Sequence, residues 1–203
     1  MQLAIIKYNA GNIQSVLFAL ERIGVNAMVT DDHQDISSAD KVIFPGVGEA
    51  STAMSYLKER RLDDLIINLK QPVLGICLGM QLMCSYSEEN DTKGLGIFGE
   101  NVRHFTNNIG NGEGKVNGLK IPQIGWNNIF DLRTRLFKNI RENSYVYFVH
   151  GYYASLGEHT IGTADYINRY SVALNKNNFY GVQFHPEKSA MDGEQVLKNF
   201  LAL

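Results

Sequence analysis

Val73-Leu74-Gly75-Ile76-Cys77-Leu78-Gly79 joins a short apolar run to a glycine-flanked cysteine. Val73 to Ile76 has the unbroken apolar character of a strand buried on both faces, and a helix is expected from Leu78 or Gly79. The G-x-C-x-G spacing has a steric cause. A nucleophile on a sharp strand-to-helix turn has strained backbone angles, and the chain passes close by on both sides, where a Cβ would clash. Such a turn lifts the sulfur to the carboxyl edge of the sheet, where open α/β sheets bind ligands. The helix start also favours thiolate over thiol. The plain alternative is a cysteine packed between strand and helix.

The flanking sequence places this elbow in an α/β sheet. Leu3 to Lys7, Val25 to Thr30 and Lys41 to Phe44 read as strands. Asn9 to Asn12 reads as a turn with Asn12 as a helix N-cap. Ile13, Val16, Leu17, Leu20 and Ile23 recur at helical spacing before Gly24, and Ser51 to Leu69 reads as one or two helices. This alternation implies a parallel sheet covered on both faces. Beyond the elbow the pattern changes. Gly94 to Phe105, Ile121 to Phe130, Tyr145 to Val149, Thr160 to Tyr166, Ser171 to Asn175 and Phe179 to Phe184 are short strand-like runs between turn residues, as in an antiparallel extension. Thr106 to Gly118, rich in Asn and Gly, reads as an exposed loop. Gly193 to Leu201 reads as a closing helix. With no internal repeat or linker, residues 1–203 are expected to form one domain.

A thiolate needs a base. Phe184-His185-Pro186-Glu187 follows the apolar strand Tyr180 to Gln183. A carboxylate two residues beyond a histidine can fix its tautomer and steady the imidazolium. Alone, His-Pro-Glu is an ordinary strand cap; beside a cysteine elbow it completes a nucleophile, base and orienter. Two donors are expected for an oxyanion: the Leu78 amide, and an amide from Pro45-Gly46-Val47-Gly48, which follows the preceding strand. His33, His104 and His159 lie in polar contexts and read as surface residues, and His150 as structural. Cys84, seven residues past Cys77, reads as inert packing. Gly94-Leu95-Gly96-Ile97-Phe98-Gly99 has neither the preceding strand nor the following helix of a dinucleotide loop, and no His/Cys/Asp/Glu group has metal-ligand spacing. No cofactor is implied.

The 203 residues include 44% hydrophobic ones, 19 basic and 21 acidic residues, and a net charge of −2. That is enough apolar matter for a full core and shows no basic block of the kind that grips nucleic acid. Two cysteines make no disulfide framework. With no signal-peptide pattern and no membrane-length apolar run, the expected setting is the cytoplasm.

Cys77-Leu78-Gly79-Met80-Gln81 together with His185-Pro186-Glu187 resembles the class I (triad) glutamine amidotransferases. Within them, Pro45-Gly46-Val47-Gly48, Ile121-Pro122-Gln123-Ile124-Gly125-Trp126-Asn127, Tyr147-Phe148-Val149-His150 and His185-Pro186-Glu187-Lys188-Ser189 resemble the glutaminase subunit of imidazole glycerol phosphate synthase. The resemblance implies a flavodoxin-like, open, mostly parallel twisted sheet with helices on both faces and an antiparallel extension in the second half. It implies Cys77 as nucleophile, His185 as base and Glu187 as its orienter, with a thioester intermediate and glutamate and ammonia as products. Val47, Gly48 and Leu78 would form the oxyanion hole. Gln81 and Glu89 would hold the amino-acid end of glutamine, with Gly48, Gly151 and Tyr152 giving main-chain contacts. Asn12, Trp126, Tyr147 and Lys188 would face a (β/α)8 cyclase subunit in a heterodimer linked to histidine biosynthesis.

The chain departs from the pattern at Lys7-Tyr8-Asn9-Ala10, at Glu49-Ala50, at Gln123 where the family usually has His, and at Gly151 in place of Ser or Thr. Lys7 and Gln123 are expected near the docking face. Ammonia released into neutral water becomes ammonium, which is no nucleophile, so a synthetic glutaminase must shield it. With no residues to spare for an acceptor domain, the synthase is expected to be a second chain. Three rivals stay open: a paralogous glutaminase feeding a sugar-modifying amidotransferase, a cysteine peptidase or γ-glutamyl hydrolase, and a binding module that keeps the elbow as a relic.

Overall fold

The computed structural model describes residues 1–9, 12–105, 115–116 and 118–203. Strands β1 (Leu3–Ile6), β2 (Met28–Thr30), β3 (Lys41–Phe44) and β4 (Val73–Ile76) alternate with helices α1 (Ile13–Arg22), α2 (His33–Ser38), α3 (Ala50–Glu59) and α4 (Leu62–Asn68), and α5 (Leu78–Met83) follows the elbow. Next come β5 (Tyr86–Ser87), β6 (Thr92–Lys93), β7 (Asn101–His104), β8 (Lys115–Val116), β9 (Leu119–Lys120), β10 (Gln123–Ile129), β11 (Ser144–His150), β12 (Tyr152–Ala154), β13 (Thr160–Asp165), β14 (Arg169–Lys176), β15 (Phe179–Val182) and α6 (Ala190–Leu201).

The sheet runs β2-β1-β3-β4-β15-β14-β12-β7-β5-β6, with β13 also on β14. The first five strands are all parallel. At β14 the pairing turns antiparallel and stays so through β12 and β7. This is the flavodoxin-like order with the expected antiparallel extension. The apolar runs of β1, β3 and β4 are explained by burial on both faces. Along β1, Leu3 and Ile5 pack towards α1 and α6, while Ala4 and Ile6 pack towards α3, α4 and α5. Each strand therefore lacks the polar alternation of a half-exposed sheet.

Several boundaries differ from the sequence reading. The second strand is confined to Met28–Thr30. Helix α2 was not foreseen; it has one buried apolar residue, Ile36, and is set by Asp32, whose side chain accepts from the amides of Gln34 and Asp35. The closing helix starts at Ala190, three residues before Gly193. Of the run from Gly94 to Phe105, only Asn101–His104 is a strand. Its apolar residues serve another purpose. Leu95, Gly96 and Phe98 donate their amides to the carbonyls of Leu82, Cys84 and Met83, satisfying the end of α5. The expected Asn/Gly-rich loop at 106–118 lies outside the described residues at 106–114 and 117; within it Lys115–Val116 pair with Leu119–Lys120. The expected turn at Asn9 to Asn12 likewise lies outside them at 10–11.

Strands β10 and β11 form a separate antiparallel ribbon, registering Gln123 on His150 and Trp126 on Tyr147. It joins the sheet through a bridge from Phe130 to Thr163. One face carries buried Ile129, Val146 and Phe148; the other exposes Ile124, Trp126 and Tyr145.

Candidate active site

The elbow has the strain its sequence predicts. Cys77 occupies the N-cap position of α5 at φ 51°, ψ −107°, a region that costs an L-residue on the order of 1–3 kcal/mol. It is held there by its own amide on the Val182 carbonyl at 2.8 Å and by its carbonyl, which accepts from the Gln81 amide at 3.1 Å. Both flanking glycines are required. A Cβ on Gly79 would run into the Phe44 carbonyl oxygen, and one on Gly75 would lie 2.8 Å from the Met80 amide nitrogen.

The parallel register of β4 and β15 sets Val182 beside Ile76, so the chain beyond Val182 passes directly by the elbow. His185 is 1% exposed. Its amide donates to the Tyr147 carbonyl at 2.9 Å, and its carbonyl accepts from the Ser189 hydroxyl at 2.7 Å. Its Nδ1 lies 2.8 Å from Glu187 Oε1, with both side chains buried. Burial alone would lower the imidazole pKa. The Cys77 sulfur and the Glu187 carboxylate outweigh it and raise the group to about 10. Nε2 has no well-directed partner, yet the Cys77 sulfur beside it is the largest raising influence on the ring, by hydrogen bonding first and by charge second. Cysteine, histidine and glutamate are therefore brought together as expected. Cys84 is fully buried, and burial pushes its thiol well up, in keeping with packing.

A cavity of about 550 Å³ opens beside the sulfur. Every expected oxyanion and substrate residue lines it: Val47, Gly48, Leu78, Gln81, Glu89, Gly151 and Tyr152. Glu89 is half-buried; burial raises its pKa, opposed by the Ala50 amide, which donates to Oε2 at 2.8 Å. Gly151 contributes backbone, and a Cβ there would meet nothing nearer than His104 Nε2 at 3.7 Å. The Leu78 amide, expected to face substrate, donates instead to the Gly46 carbonyl at 3.3 Å. The adjoining Pro45 carbonyl accepts from the buried Tyr8 hydroxyl at 2.6 Å. The Pro-Gly-Val-Gly turn thus presents an oxygen, not an amide, to the elbow.

Three histidine and glutamine readings change. His104 is not a surface residue; it is half-buried, lines the cavity and packs edge-on against Tyr152 at 4.6 Å. The signal was present in β7, where Val102 and His104 share a face. His159 is no free surface residue either, since its Nδ1 lies 3.0 Å from the buried Glu100 carboxylate. Gln123, expected near the docking face, is 2% exposed; it opens β10 with its side chain on the buried face of the ribbon, against His150 Nε2 at 3.1 Å and the Tyr170 hydroxyl at 3.0 Å. His150 is structural as expected: burial drops its pKa to about 4, and Nδ1 donates to the Tyr152 carbonyl at 2.7 Å. Gln183 escaped notice because it directly follows the apolar strand β15, although a polar residue closing such a run is itself a signal. It is fully buried, with Nε2 3.5 Å from Cys77 Sγ.

Trp126 is 51% exposed, so it is not core packing. It meets Tyr147 edge-on at 6.1 Å, and Lys188 Nζ sits 5.8 Å over the Tyr147 ring. Asn12 holds the N-cap position but makes no cap bond, accepting instead from the Ser15 hydroxyl at 2.7 Å. It borders a small crevice shared with Val47, His185 and Glu187.

Residues 4–203 match the model of the glutamine amidotransferase class-I family. The chain is 53% identical over 203 residues, covering all of both chains, to an imidazole glycerol phosphate synthase subunit HisH of Bacteroides fragilis. It is 46% identical over 202 residues, 99% of this chain and 97% of the other, to the HisH subunit of Haemophilus influenzae. Among solved structures, PurLQS from Thermotoga maritima superposes with a TM-score of 0.70 at 16% identity, over 99% of this chain and 97% of that one, which speaks for the fold. The chain belongs to the class-I glutamine amidotransferases and, within them, to the family of imidazole glycerol phosphate synthase HisH subunits.

Proposed function

We propose that Cys77, His185 and Glu187 are the catalytic residues through which this chain releases ammonia from glutamine. The glutaminase activity is that of the family; the roles rest on one observation, a buried imidazole held by a carboxylate beside the elbow sulfur, which itself faces a cavity. The Cys77 thiolate attacks the side-chain carbonyl carbon of glutamine. The electron pair moves to oxygen, then returns as the C–N bond breaks, while His185 gives its proton to the leaving nitrogen. Ammonia departs and a thioester is left on Cys77. His185 then takes a proton from water, which attacks the thioester and frees glutamate. Glu187 keeps the ring oriented throughout. In the cavity, the amide hydrogens of Gln81 are already engaged, so its Oε1 and the Glu89 carboxylate receive the α-ammonium.

Members of this family are synthase subunits and act with a partner subunit. We further propose that the partner is a (β/α)8 cyclase in a heterodimer, docked on Asn12, Trp126, Tyr147 and Lys188, that residues 1–203 act as one domain, and that both chains are cytoplasmic. The apolar, exposed face of the ribbon supports docking. With the Gly46 carbonyl on the Leu78 amide, the oxyanion site formed with Val47 and Gly48 is closed, and docking turns the loop so that an amide replaces that oxygen. The test is a complex carrying Cys77→Ser. Glutamine-dependent synthesis should fall at least about a thousandfold, while synthesis from added ammonium persists. Equal loss of both would contradict a glutaminase role for Cys77, and survival of glutamine-dependent synthesis would contradict it more directly.

A further inference from the structure

We infer that Gln183 is a further catalytic residue, a fixed side-chain donor that holds the Cys77 sulfur as thiolate. The proposal rests on Cys77 being the nucleophile. Gln183 is fully buried, and its Nε2 donates to Cys77 Sγ at 3.5 Å. Its orientation is set by a chain of bonds that begins at a backbone carbonyl. The Tyr152 carbonyl can only accept, so the group facing it at 2.9 Å must be the Gln81 amide nitrogen. The second hydrogen of that nitrogen meets Gln183 Oε1, also at 2.9 Å. With its oxygen so engaged, Gln183 can only turn its NH2 towards the sulfur. The backbone supports the same arrangement, since the Gln183 amide is tied to the Val172 carbonyl and the Cys77 amide to the Val182 carbonyl, both at 2.8 Å.

The chemical consequence follows from the partners of the sulfur. The Val149 carbonyl lies 3.8 Å away and can accept from a neutral thiol; facing a thiolate, it is repulsive. An N–H donor has the opposite preference, because thiolate accepts a hydrogen bond far better than thiol does. Gln183 therefore offsets the carbonyl on the other side and favours the charged form. His185 works towards the same end through its charge, but gives its proton away during the reaction. Gln183 keeps its hydrogen at every step and serves the sulfur again when it leaves the thioester.

The experiment follows alkylation of Cys77 by iodoacetamide in the full-length chain, located by mass spectrometry, across the pH range in which thiols titrate. It is paired with kcat and KM in the partner complex. Gln183→Met keeps length and removes the donor. The alkylation midpoint should rise by roughly one pH unit, and kcat should fall about tenfold with KM little changed. Gln183→Glu keeps the acceptor for Gln81 and places an anionic oxygen on the sulfur. Its midpoint should rise further, and it serves if the methionine variant fails to fold. An alkylation profile matching the unaltered chain in either folded variant would overturn the assignment of Gln183 alone. Glutamine hydrolysis that survives complete alkylation of Cys77 would overturn both this proposal and the reading of Cys77 on which it rests.

Discussion

Glu187 acts on the His185 ring, and the effect is measurable. His185 is raised from 6.5 to about 10, burial working against it and Cys77 and Glu187 working for it. The folded chain therefore binds this proton more tightly than the unfolded one. Its contribution to stability is fully present below 6.5 and is lost as pH climbs through about 10. In the proposed mechanism the proton given to ammonia comes from the same site, so the alkaline limb of kcat should follow it. Glu187→Gln removes one of the two raising partners and leaves the ring less firmly oriented. In the partner complex kcat should fall by roughly two to four orders of magnitude, with the alkaline limb moved to lower pH. A kcat–pH profile in which the limb keeps its place would separate Glu187 from the histidine. At this scale the sequence showed what sterics or chemistry force into fixed spacing: the glycines around Cys77, and a carboxylate two residues after a histidine. Gln183 and His104 each left only a faint local signal, because their meaning lies in neighbours distant in sequence, Gln81 on α5 and Tyr152 on β12.

Among the elements, the ribbon of β10 and β11 divides two jobs between its faces. Ile129, Val146 and Phe148 close the core, while Trp126 stands half out of it and Ile124 and Tyr145 more so. Burial of one face explains why the ribbon forms, and the other face stays exposed, as the proposed docking requires. Trp126→Ala removes an exposed ring, so the stability of the isolated chain should change by no more than about 0.5 kcal/mol. If the partner is the cyclase proposed above, its stimulation of glutamine hydrolysis should weaken at least about tenfold, since aromatic anchors dominate such contacts. Thermal melts and a titration with cyclase check the two halves; a large drop in melting temperature with stimulation intact would place Trp126 in the core. The elements legible in advance were the doubly buried strands β1, β3 and β4 and the strongly periodic α1. Helix α2 was not, because one apolar residue carries no period and Asp32 alone starts it. The run after Gly94 was misread because residues packing on the end of α5 are as apolar as a strand without joining a ladder.

In the molecule as a whole, five parallel strands place the turn after β3, the elbow after β4 and the histidine after β15 at one sheet edge, and the antiparallel extension supplies the cavity's far wall through Gly151 and Tyr152. That division was readable from the change of pattern midway along the chain. That the Gly46 carbonyl accepts from the Leu78 amide was not, since a Gly-Val-Gly turn allows either peptide orientation. The account depends above all on a covalent bond forming at Cys77. Rapid acid quenching of the partner complex during turnover of glutamine, followed by peptide mass mapping, tests this most directly. A glutamyl thioester is expected on the peptide containing Cys77 and is absent from Cys77→Ser. Turnover at the full rate with no adduct on Cys77, or an adduct on a different residue, would contradict it.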